Sequence, residues 1–284
     1  MRSVPTPALV ACWVAGFVVT EPTFQFTPGS TPLLISMPHG GTFIPADLRT
    51  HYTRDALTVP DTDWHVPLLY QFALARGAGL LAATYSRYVI DLNRNPDGAV
   101  LYAGADNTEL CPTKSFSQAA IYRDDCEPDA AEVARRREQY WQPYHEQLAA
   151  ELTRLKQQHG YAILLDGHSI RAEVPRFFEG RLPDLNLGTA DGTSCAPAIQ
   201  QAAERVLSNA QGFSFVSNGR FKGGTITRRY GQPGQGVHAL QLEMAQACYM
   251  DEAPPYVWTP ERASALEAVL QVLVDTLLSV PAKC

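Results

Sequence analysis

Three apolar runs of strand length constrain this chain most: Pro32-Leu33-Leu34-Ile35, Tyr161-Ala162-Ile163-Leu164-Leu165 and Val237-His238-Ala239-Leu240-Gln241-Leu242. The second is the near-continuous kind of a strand covered on both faces, as in a parallel sheet. Each run leads into groups that coordinate metals or move protons. The first opens into Ser36-Met37-Pro38-His39-Gly40-Gly41-Thr42, the second into Asp166-Gly167-His168-Ser169, and the third closes on Glu243. In open α/β sheets the binding crevice lies at the C-terminal ends of the strands. His39, His168 and Glu243 are therefore expected at one crevice.

The intervening sequence supplies helices. Asp61 reads as an N-cap before Val66, Leu69, Tyr70, Ala73 and Leu74, which recur at helical spacing, with Gly77 and Gly79 ending the helix and Asp63 in its first turn. Gly79 to Tyr85 is a predicted strand and Tyr88 to Leu92 a short β segment, flanked by Arg87 and Arg94. Guanidinium groups beside a buried strand need water or an anion, so the pair points to a carboxylate or oxyanion site. Pro96 to Pro128 lacks a period and reads as long loops. Pro128 to Gly160 is helical, with Val133, Tyr140, Trp141, Tyr144, Leu148, Leu152 and Leu155 on one face and a kink or division at Pro143. Further strands are expected at Leu185 to Thr189 and Phe213 to Val216. A helix is expected at Ala196 to Leu207, and a closing helix from Thr259, as N-cap, to Leu278. Alternating strands and helices predict a mostly parallel sheet with helices on both faces.

At 284 residues and 45% hydrophobic content, the chain is read as a single domain over 1–284, with 1–30 as an N-terminal extension or hairpin. Ala8 to Thr20 is too short and interrupted for a membrane span, and Val14 to Thr20 with Glu21 to Phe26 reads as a hairpin. A net charge of −6 argues against a nucleic-acid partner. Six scattered cysteines without C-x-x-C predict reduced thiols and a cytoplasmic protein. Monomer and homodimer both stay open, and no membrane partner is expected.

Two histidines from separate strand ends with a carboxylate form the ligand set of a catalytic zinc that keeps a position open for water. Asp63 is the third ligand on this reading, with Asp61 as fallback and Asp166 as a partner that orients His168. Glu243 is the general base, because a zinc hydrolase needs an acceptor for the proton of water. Manganese or cobalt would suit the same ligands. A serine hydrolase is excluded by the last position of Gly167-His168-Ser169-Ile170-Arg171, which is not glycine. Gly231-Gln232-Pro233-Gly234-Gln235-Gly236 lacks the order and lysine of nucleotide-binding loops.

Pro38-His39-Gly40-Gly41, Asp63, the segment Ser86 to Arg94, Asp166-Gly167-His168-Ser169, the segment Gly223 to Gly231 and Gln241-Leu242-Glu243, in this order, resemble the N-formylglutamate amidohydrolases, deformylases of histidine degradation. That family in turn is similar to the zinc carboxypeptidase and aspartoacylase group. The resemblance implies a three-layer α/β/α sandwich with a central mostly parallel mixed sheet. It also implies zinc on His39 and His168, water activation by Glu243, and a substrate carboxylate held by Asn93 and Arg94. Thr42 stands where the related enzymes carry a glutamate three residues after the first histidine. N-formylglutamate is a dianion, so Arg94 and Arg228 are the expected clamps, Arg229 and Lys222 reserves, and Arg87 the oxyanion partner. Alternatives are a deacylase of N-acetylglutamate or N-formylaspartate, or a non-catalytic acidic amino-acid binding protein.

Overall fold

The computed structural model describes residues 21–99 and 106–280. Along the chain run β1 (Phe24–Thr27), β2 (Leu33–Met37), α1 (Ala46–Arg49), α2 (Val66–Leu69), β3 (Gly79–Ala83), α3 (Ala130–Arg136), α4 (Gln142–His159), β4 (Ala162–Ile170), β5 (Leu185–Gly188), α5 (Pro197–Ser208), β6 (Phe215–Ser217), α6 (Thr225–Tyr230), β7 (Val237–Ala245) and α7 (Pro260–Ser279). The strands form one sheet in the order β1-β3-β2-β4-β7-β5-β6. Pairing is parallel for β2 with β3 and β4, β4 with β7, and β5 with β6; β1 on β3 and β5 on β7 are antiparallel. The expected mixed, mostly parallel sheet is present.

Side-chain alternation builds the layers. Leu33, Ile35, Ile163, Leu165, Leu240 and Leu242 face α5 and α7, packing with Ile199, Ala203, Leu266, Leu270 and Leu273. The residues between them, Leu34, Leu164 and Ala239, face α4 through Tyr144, Leu148 and Leu152. Strands buried on both faces need helices on both sides, which is why the runs are apolar at successive positions.

Several local expectations are corrected. Tyr88 to Leu92 is a buried turn region, not a strand: Val89 N–H bonds to Ser86 O and Arg94 N–H to Asp91 O. The apolar run reflects burial on all sides rather than sheet pairing. Asp61 does not cap a helix, because its carboxylate accepts from Tyr88 Oη (2.6 Å) and Phe116 N (2.7 Å). Residues before Val66 therefore turn to bury Asp61 and Asp63, and α2 starts only after His65, whose φ of 62° is left-handed. A 3₁₀ segment, Gln71–Arg76, follows and is ended by Gly77. Asp166 to Ser169 continues β4 as extended strand, paired with β7 up to Ile170. Thr259 occupies the predicted N-cap position, but its hydroxyl accepts from Arg262 (2.6 Å) and makes no capping bond. In the expected hairpin, Val14 to Thr20 lies outside the described residues, while β1 pairs with β3.

Pro143 divides the long helix as expected. Asp129 caps α3 through Glu132 N (2.8 Å), and a π-helical turn, Arg137–Trp141, joins α3 to α4. Proline lacks an N–H and crowds the preceding turn, and a wide turn there relieves both constraints.

Gly41 lets the turn after β2 press against the chain beyond β3, since a Cβ there would collide with Tyr85 O and the Thr84 carbonyl. Both obstacles are backbone and cannot rotate away. Gly41→Ala is expected to lower stability by about 2 kcal/mol or more, in the range of overpacking, read as a lower urea midpoint with unchanged m-value. Among the described residues no helix is long and apolar enough to cross a membrane.

Candidate active site

The parallel register of β4 and β7 sets Asp166 opposite Gln241 and His168 opposite Glu243. These positions continue the sheet face that carries Leu164 and Ala239 lower down, so one face changes from apolar to polar toward the strand ends. His39 follows β2, beside β4, and Asp63 N–H bonds to His39 O (3.1 Å), which brings the turn before α2 to the same place.

His39, Asp63 and His168, all buried, present ligating atoms within 4.8 Å of one another and could hold a metal ion. Asp63 Oδ2 lies 3.1 Å from His168 Nδ1 and 3.7 Å from His39 Nδ1, and accepts from Ser169 N (3.1 Å). The other ring nitrogens face carboxylates: His39 Nε2 donates to Asp91 Oδ1 (2.7 Å), and His168 Nε2 lies 3.0 Å from Asp166 Oδ2. The hydrogen bond to Asp91 orients the His39 ring, Asp166 and the Asn93 side chain flank His168 Nε2, and both Nδ1 atoms point toward Asp63, an arrangement common around bound metals.

The charges fit a cation. Asp63 Oδ1 is buried without a hydrogen bond. Burial opposes ionisation of Asp63 and Asp91, but His168 and His39 at the first, and His39 and Arg87 at the second, hold both below the usual carboxylate range. Burial also disfavours charge on His168, yet Asp166, Asp63 and Glu243 outweigh it and raise its pKa well above the ordinary histidine value. A proton held this strongly among carboxylates is what a divalent ion would displace.

Glu243 is buried and makes no side-chain hydrogen bond among the described residues. Its pKa is pushed up to about 8, chiefly by burial and further by Asp63 and Asp166. A carboxylate whose basicity is raised this way is suited to taking and returning a proton.

His39, Asp63, Arg87, Asn93, Arg94, His168 and Glu243 all line one pocket. Arg87 donates to Asp91 Oδ2 (2.7 Å), stands 3.6 Å from Asp63 Oδ1 and lies over the Phe116 ring. The Asn93 side-chain nitrogen is 3.1 Å from His168 Nε2, and Asn93 Oδ1 accepts from Ile226 N (2.8 Å). Arg94 donates to Thr108 and to the Asn93 carbonyl.

Other candidates stand apart. Arg228 is exposed, donates to Gly223 O (3.0 Å) and is not in the pocket lining. Lys222 pairs with Asp191 and Arg229 lies over Trp141. His65 meets Tyr256 O, and His238 is buried and accepts from Ala196 N.

A family model for N-formylglutamate amidohydrolase matches residues 31–250. The chain belongs to the N-formylglutamate amidohydrolase family. Relatives within it include the N-formylglutamate deformylases of Pseudomonas aeruginosa, 49% identical, and Pseudomonas putida, 46% identical, each over 91% of this chain and 97% of the relative. The crystal structure of N-formylglutamate amidohydrolase from Ralstonia eutropha JMP134 superposes with a TM-score of 0.77 at 27% identity, over 90% of this chain and 97% of that one. A gene product of Agrobacterium tumefaciens shares the fold, with a TM-score of 0.68 at 18% identity over 91% of this chain and 96% of its own.

In this member of the family two groups at the site escaped sequence reasoning, one buried behind the pocket wall and one in its lining. Asp91, which joins His39, Arg87 and Asn93 N, had a signal: a carboxylate inside an apolar run needs a partner. Arg220 lines the pocket with Phe177 and Phe221, and nothing in its glycine-punctuated segment separates it from Arg228 or Arg229.

Proposed function

We propose that this chain is a metal-dependent amidohydrolase that converts N-formyl-L-glutamate to formate and L-glutamate. The observation that carries the reading is one pocket that combines the inward-facing His39, Asp63 and His168 with an uncommitted Glu243 and arginines at its wall. Family membership and two relatives named for the deformylase reaction support the substrate.

His39, Asp63 and His168 would hold the ion, and a nitrogen- and oxygen-rich set of three protein ligands suits zinc, with manganese or cobalt as alternatives. When bound, such an ion supplies Lewis acidity, lowering the pKa of water and polarising the formyl carbonyl. Glu243 accepts the proton of the attacking water and delivers it to the departing nitrogen, so the amine leaves neutral. Arg87 keeps Asp91 ionised, stands beside Asp63 and adds positive charge beside the developing oxyanion. Arg94 and Arg220 grip the two substrate carboxylates, and Arg228 anchors the turn at Gly223.

Formate release from N-formyl-L-glutamate, compared between metal-stripped and zinc-reconstituted protein, tests the reading. Zinc-dependent release is expected; release that survives stripping overturns the metal, and its absence from both samples overturns the substrate. Arg94→Ala is expected to raise KM by about tenfold or more with a smaller change in kcat, since a hydrogen bond to a charged group is worth about 1.5–3 kcal/mol. Steady-state kinetics read this directly.

A further inference from the structure

The loop that bears Asn93 and Arg94 has no regular secondary structure, so something else must hold its peptides. Its own bonds account for part: Asn93 N–H donates to Asp91 Oδ1, Arg94 N–H to Asp91 O, and Arg94 Nη1 to Asn93 O. The two outer carbonyls, Leu92 O and Arg94 O, are taken by side chains of the π-helical turn and of α4, neither of which lines the pocket. His145 Nε2 lies 2.8 Å from Leu92 O, and Trp141 Nε1 donates to Arg94 O (3.1 Å).

The two donors form one unit. Trp141 ends the π-helical turn and His145 lies one helical turn further on, and their rings stack with centroids 3.6 Å apart. A carbonyl can only accept, so His145 carries its proton on Nε2, and Tyr230 Oη, 2.9 Å from Nδ1 and 3.2 Å from the His145 carbonyl, shares its one proton between these two acceptors. Burial pushes the His145 pKa down to about 3, which keeps the ring neutral and this pattern fixed. Tyr230 ends α6, whose first turn holds Asn93 Oδ1 through Ile226 N.

We infer that Trp141 and His145 are positioning residues for substrate binding: they pin the carbonyls that bracket Asn93-Arg94 and hold the Arg94 guanidinium where a substrate carboxylate docks. The inference rests on Arg94 as a clamp in the proposed reaction. A loop released from these donors must be reordered at each binding event, which costs affinity before it costs chemistry.

The test compares His145→Phe, which keeps a stacked ring without a donor, with His145→Gln, which restores a donor toward Leu92 O, and with Trp141→Phe. KM and kcat for N-formyl-L-glutamate are measured together with amide hydrogen exchange over residues 91–95. His145→Phe is expected to raise KM about tenfold, Trp141→Phe severalfold, and His145→Gln to return KM toward wild type, with exchange of the loop rising and falling in parallel. A loss of kcat at unchanged KM in His145→Phe would mark a merely structural role and overturn the inference. If His145→Phe does not fold, an unchanged KM in Trp141→Phe overturns it. Absence of turnover by the wild type strikes the functional reading, and loop exchange that is unaltered in the variants then strikes this one independently.

Discussion

Glu243→Gln is expected to leave a folded protein that binds metal and substrate and turns over at least about 100-fold more slowly, within the range for loss of a general acid–base group. The substitution preserves shape, and among the described residues Glu243 makes no side-chain hydrogen bond that the amide would break. Because burial disfavours the carboxylate, the neutral amide is easily accommodated, and thermal stability should hold or rise. KM should stay within about twofold, since the lost group acts on the proton in flight rather than on the bound ground state. Single-turnover formate release with metal analysis checks this. A variant that retains turnover would show that another group accepts the proton.

His39→Ala should act earlier, by removing one of the three side chains proposed to hold the metal. Asp91 would keep Arg87 and Asn93 N, and Asp63 would keep His168 and Ser169 N, so the surroundings remain bonded. Metal affinity is therefore expected to fall more than the about 10–100-fold typical of an outer partner, which is the effect expected for Asp166→Asn. Titration against a competing chelator ranks the two. Equal affinity in His39→Ala and wild type would remove His39 from the ligand set.

Much of this architecture was legible because strand runs buried on both faces leave a strong apolar signature, and because buried polar residues at their ends are costly without a purpose. His39, His168 and Glu243 carried that signal. Asp63 was legible by position, although the helix expected around it gave way to a turn that buries two carboxylates. Tyr88 to Leu92 misled because burial in a packed loop looks like burial in a sheet when read one residue at a time. Arg220 and Arg228 were indistinguishable because charge and spacing do not say which way a side chain leaves a glycine-rich segment.

The register between β4 and β7, with His168 directly opposite Glu243, also has a meaning in time. The two strands are distant in sequence, and contacts of that kind form late because closing the intervening chain costs entropy before pairing rewards it. Helices such as α4 and α7 can form from neighbours alone, whereas Glu243 meets His168 only once β7 has docked. Recovery of turnover during refolding should therefore lag behind recovery of helical signal, making catalysis a clock for the last step of assembly.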